Sequence, residues 1–215
     1  MANPRYFYTT LLICLLIFAA CLAMAGPMRA GLPVAGDLTQ RLTYITAYLP
    51  MWQVGWLLWM GSALGLMLFA QMFATAISDG LLRRYGLTLV CLGIIPDLSA
   101  ETLYAFVLPT LSKQGVTIDS LLLIDQVAMH LTGVLGNGLY NLGGLLLTVA
   151  LWQARTELRL WLLPGLVAWL LGIGLSVALA LQQLGLAEVL TAASMALSTA
   201  WFALIGWKLW GTPRV

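Results

Sequence analysis

The side chains of this chain best able to do chemistry fall in two stretches that are otherwise apolar. The first reads Ile95-Pro96-Asp97-Leu98-Ser99-Ala100-Glu101 and continues to Tyr104. Asp97, Glu101 and Tyr104 have i, i+4, i+7 spacing and share one face of a helix. The second supplies Gln126, His130, Gly133, Asn137 and Asn141, which fall on one stripe at helical spacing, with Tyr140 at its margin. Carboxyls, an imidazole and amides in such an arrangement can bind a proton, a cation or the polar group of a small ligand. A carboxyl–imidazole pair can also pass a proton. Two carboxyls one turn apart repel when both are ionised, so the pair is expected to hold at least one proton near neutral pH.

Counting depth from the helix ends places Asp97 near the level of Asn137. Glu101 and Tyr104 then lie between that level and His130, or just beyond it, which makes a Glu101–His130 contact the expectation. Pro96 lacks an N–H and disrupts the bond to the carbonyl of Leu92, freeing an acceptor near the two acids. Asp125 points about 100° away from Gln126 around the helix and reads as an interfacial residue.

These residues need helices to hold them, and composition says what surrounds those helices. Only 8% of the 215 residues are charged and 61% are hydrophobic, whereas soluble domains carry roughly a quarter charged residues. Lipid is therefore the solvent. Spans are expected at 6–25, 51–77, 85–108, 121–152, 160–184 and 188–210, each near the roughly 20 residues that cross a bilayer. The expectation is an all-α membrane protein, a six-transmembrane-helix bundle forming a single polytopic domain over residues 1–215. Its loops leave no room for a soluble catalytic domain. The first run also has signal-peptide features, Arg5 before it and Ala23-Met24-Ala25 as a cleavage site. It is longer than a usual signal core, which favours a retained helix; cleavage would leave five spans.

Basic residues orient the bundle. Arg5, Arg83, Arg84, Arg155, Arg159, Lys208 and Arg214 fall on the side of the termini, against Arg29, Arg41 and Lys113 on the other. Both termini are thus expected in the cytoplasm, with the protein in the cytoplasmic (inner) membrane of a bacterium. In the first extracytoplasmic loop, Asp37 and Gln40 have capping-box spacing and Leu38, Leu42, Ile45 and Leu49 repeat at helical spacing. This predicts a short interfacial helix ended by Pro50, lying on lipid or on the mouth of the bundle. Gly61 and Gly65, and the glycines of the fourth span, mark close helix packing.

A plainer reading competes with a functional one. A carboxyl–histidine pair plus amides can be glue between helices, worth about 1 kcal/mol. A single His or Asn in a span favours that reading. Two carboxyls, a His, two Asn and a mid-helix Pro together favour function, because a central Asp costs about 2.5–3.5 kcal/mol to insert and such groups usually face a bundle interior or wet cavity. Thr191, Ser194 and Ser198 are expected to bond their own helix backbone, and the free cysteines Cys14, Cys21 and Cys91 to act as small packing groups.

Absences narrow the field. There is no HExxH, no GxSxG, no Walker lysine after the glycines and no mid-span lysine, and a single histidine excludes bis-histidine haem. No basic run suits nucleic acid, and no ligand spacing demands a metal. The leading expectation is a small membrane carrier or binding protein for a proton, cation or small lipophilic ligand, with Asp97, Glu101, Tyr104, Gln126, His130, Asn137, Tyr140 and Asn141 forming the site. A second is a membrane-embedded enzyme acting on a lipid or isoprenoid, with Glu101 and His130 as acid and base. A third is a non-catalytic subunit or assembly factor of a membrane complex, or a homo-oligomer. Cofactors are not legible from these residues.

Overall fold

The computed structural model describes residues 4–211. Every regular element among the described residues is helical. Six helices are long and apolar enough to cross a membrane: α1 Pro4–Ala25, α3 Leu49–Ala74, α4 Leu81–Lys113, α5 Ile118–Ala154, α6 Thr156–Ala180 and α7 Leu184–Gly211. The short α2, Leu38–Ala47, lies between α1 and α3. A lipid-embedded chain must satisfy its own backbone, and helices do so within each segment. Arg214, counted above among the basic residues, lies outside the described residues.

The spans close into a ring in chain order. α1 packs on α3, α3 on α4, α4 on α5, α5 on α6, α6 on α7, and α7 returns to α1. Tyr6 and Trp210 meet edge to face at 5.6 Å, so α1 and α7 end at the same face. Among the described residues a small apolar cluster joins Leu175 and Ala178 of α6 to Ala187 of α7, and two large ones fill the ring. One, nearer the termini, centres on Phe69, Phe73, Leu147, Leu151, Trp201 and Phe202. The other, on the α2 side, gathers Leu42, Ile45, Trp52, Trp56, Tyr104, Leu108 and Leu121.

Several boundaries differ from the expected ones for local reasons. α4 and α5 run 33 and 37 residues, about 50 Å or more at 1.5 Å per residue, against a hydrocarbon core of about 30 Å. They therefore overrun the expected spans and meet α2. The α6–α7 turn is made at Leu181-Gln182-Gln183, where Gln182 takes a positive φ of 57°; Gly185 is already inside α7. Pro50 does not end α2 but sits in the first turn of α3, where a missing N–H costs nothing.

α2 starts at the Asp37 cap, whose carboxylate accepts from the Gln40 N–H at 3.2 Å. Its stripe of Leu38, Leu42 and Ile45 is buried, and Arg41 is buried with it, so the helix packs on the mouth of the bundle. The Gly61–Gly65 pair is also taken up inside the chain: β-carbons there would lie 3.1 Å from Leu16 and 3.2 Å from Ile13 of α1.

Candidate functional site

Glycines set the position of the acids. Gly86 and Gly93 of α4 lie seven apart, as do Gly136 and Gly143 of α5. A β-carbon at Gly93 would lie 2.7 Å from the Gly136 carbonyl oxygen, and one at Gly143 would lie 2.5 Å from that of Gly86. The two backbones touch. One turn beyond Gly93, Asp97 is driven against α5, where Thr132 donates its hydroxyl proton to Asp97 Oδ1.

Glu101 follows one turn later and is fully buried at 0% exposure. Neither carboxyl oxygen has a hydrogen-bond partner among the described residues. An unpaired buried charge is costly, so this carboxyl calls for either a proton or a cation beside it. Both helices are distorted here. α4 opens into a π turn at Leu103–Val107, directly beyond the acids, and α5 does so at His130–Gly136, the segment carrying Thr132. π turns often mark functional sites.

The α5 π turn overturns the single polar stripe. One extra residue in a turn rotates everything beyond it by about 100° relative to a regular helix. Asn137 and Asn141 face the interior, whereas Gln126 and His130 are exposed on the outside of the bundle. His130 Nδ1 lies 2.8 Å from its own helix's Gln126 carbonyl oxygen. The expected Glu101–His130 contact is absent, and with it the acid–base pair. Among the described residues no three His, Cys, Asp or Glu side chains come together.

Asp125, expected to be interfacial, lies near the α2 end of α5. It is buried and takes a bidentate ion pair from Arg41 of α2, at 2.7 and 2.9 Å; Arg41 Nε donates to the Gly31 carbonyl at 3.0 Å. Tyr104 belongs to this network. Its hydroxyl donates to the Asp125 carbonyl at 3.1 Å, and its ring stacks on Trp56 at 4.9 Å. The signal for Arg41 was available: it stands inside the apolar stripe of α2.

Asp97, Asn137, Tyr140 and Asn141 do come together, around a central cavity of about 60 Å³ to which all six spans contribute. Asn137 Nδ2 donates to the Gly172 carbonyl at 2.9 Å and Ser176 Oγ at 3.0 Å, and Asn141 Nδ2 to the Asn137 side-chain oxygen at 2.8 Å. Ser62, Ser194 and Ser198 also line the cavity. Their hydroxyl protons go to the carbonyls of Leu58, Thr191 and Met195 in their own helices, as expected for the α7 pair. Their oxygens, like the second oxygen of Asp97, keep acceptor capacity that no other side chain among the described residues takes up. Tyr140 makes no hydrogen bond, and no basic side chain lines the wall, among the described residues. Ser62 and Thr132 escaped the sequence reading because a hydroxyl in a span is usually a backbone-bonded bystander.

At the termini-side loop between α3 and α4, Asp79 pairs with Arg84, and that guanidinium holds its carboxyl below the usual carboxylate range. Comparison with family models, with curated proteins and with solved structures finds no match.

Proposed function

We propose that this chain is a small integral-membrane carrier or binding protein whose central cavity takes a small cation, an ammonium group being the best match. The observation that carries the reading is the cavity wall, which sets the Asp97 carboxyl beside three serine hydroxyls whose protons go to their own helices, with no basic side chain among the described residues that line it. An ammonium brings several donors and no acceptor, and a cavity of about 60 Å³ holds a few water-sized groups. Asp97 supplies the charge, and Glu101 one turn away adds a second site for a proton or cation. Under the positive-inside bias the α2 face is extracytoplasmic, α2 is the interfacial helix of that face, and the membrane is the cytoplasmic membrane of a bacterium.

Trp59 and Trp169 wall the cavity, so occupancy is read by tryptophan fluorescence of the purified protein in detergent. Titration with methylammonium chloride should give a saturable change, matched by uptake of labelled methylammonium into proteoliposomes. N-methylglucamine chloride, too large to enter, serves as the ionic-strength control. Asp97→Asn keeps an oxygen for Thr132 but should lose both signals. No response of wild type beyond the control, or an unchanged response in Asp97→Asn, refutes the assignment.

A further inference from the structure

A second pocket adjoins the central cavity, with Trp59 and Met195 lining both. A groove of about 820 Å³ runs between α1, α6 and α7, within the 300–1,000 Å³ typical of ligand sites. Along α1 it extends from Ala25 down to Cys14, eleven residues or about 16 Å, roughly half the hydrocarbon core. Its floor is kept open by Ala192, Ala196 and Ala200 of α7, spaced four apart where a larger apolar side chain would fill the space. Thr191 and Thr199 on its wall donate to the Ala187 and Met195 carbonyls of their own helix, so these two hydroxyls offer the groove no donor. At the α2-side mouth stands one ion pair, Arg29 with Glu188, both partly exposed.

We propose that this groove binds a phospholipid of the α2-side leaflet with a zwitterionic, primary-ammonium headgroup, one acyl chain lying in the groove. The half-bilayer depth fits a chain whose head stays at the membrane surface. Arg29 suits the phosphate, which a guanidinium holds with paired donors, and Glu188 suits the ammonium. An anionic headgroup would leave its charge against Glu188, and a purely cationic one would face Arg29. This reading does not rest on what the central cavity binds, although Trp59 and Met195 line both.

The test is native mass spectrometry of the gently delipidated protein, given equimolar phosphatidylethanolamine and phosphatidylglycerol of matched chains. Wild type should retain one phosphatidylethanolamine in preference. Glu188→Gln should shift that preference by about fivefold toward phosphatidylglycerol, because only the ammonium partner is lost. Ala196→Phe, on a lipid-exposed face and so compatible with folding, should displace the retained lipid of either kind. Glycerophosphoethanolamine, the head without chains, should not compete. Equal retention of both lipids by wild type, or retention unchanged in Ala196→Phe, overturns the proposal, since each marks ordinary lipid around the bundle.

Discussion

Arg41 of α2 and Asp125 of α5, 84 residues apart, form a buried two-point ion pair. It ties the short α2 to two long spans, because Tyr104 of α4 donates to the backbone oxygen of the same Asp125. At 3% and 6% exposure, neither charge has water to fall back on. Arg41→Met should therefore destabilise the protein by about 3–5 kcal/mol, the cost of stranding a buried carboxylate. Arg41→Met with Asp125→Leu should recover most of that loss, since an apolar pair of similar size removes the stranded charge. Thermal unfolding in detergent compares the three proteins. A single mutant as damaging as any loss of packing, with no recovery in the double, would make the pair incidental.

Gly93 is where α4 and α5 come closest. Its missing β-carbon would lie 2.7 Å from one backbone oxygen and 2.8 Å from the Tyr140 backbone nitrogen, and neither can swing aside. Gly93→Ala should cost about 1–3 kcal/mol as an overpacking change and should pull Asp97 away from Thr132. Gly65→Ala meets only a side-chain methyl of Ile13 at 3.2 Å, not backbone, and should cost less. Equilibrium unfolding ranks the two, and an equal cost would show that the α4–α5 contact has slack.

His130 gives the opposite expectation. Its ring lies on the outside of the bundle and bonds only to its own helix. His130→Leu should change stability by no more than about 0.5 kcal/mol and leave cation binding to the central cavity intact. Loss of binding in this variant would return the histidine to the site.

Much of this architecture is legible in the residues alone, for reasons that can be named. The spans follow from apolar runs longer than any soluble core needs, the α2 start from Asp37 and Gln40, and the shared face of Asp97 and Glu101 from a stretch that stays α-helical through both. The failures begin where the helix stops being regular. Reading Gln126 through Asn141 as one stripe assumes a constant rotation per residue, and a π turn is decided by how α5 packs on α4, which no local pattern encodes. Arg41 does leave a local trace, standing inside the apolar stripe of α2, but its partner Asp125 can be named only once α2 is placed on the bundle.

Glu101 separates a structural role from a functional one. A side chain kept for the fold should be missed when it is removed. Glu101 makes no hydrogen bond among the described residues, while its burial has a desolvation cost, so the fold gains little from it. Glu101→Leu, apolar and of nearly the same volume, should leave stability unchanged or raise it by about 1–3 kcal/mol, the penalty of an unsatisfied buried polar group. Asp97→Leu should lower stability by a similar amount, because it strands the Thr132 hydroxyl. Unfolding measured on both variants, beside methylammonium binding, resolves the question. A Glu101→Leu protein that is more stable but binds more weakly would mean the acid is kept for the cavity at the expense of the fold. One that is less stable would make Glu101 a structural group.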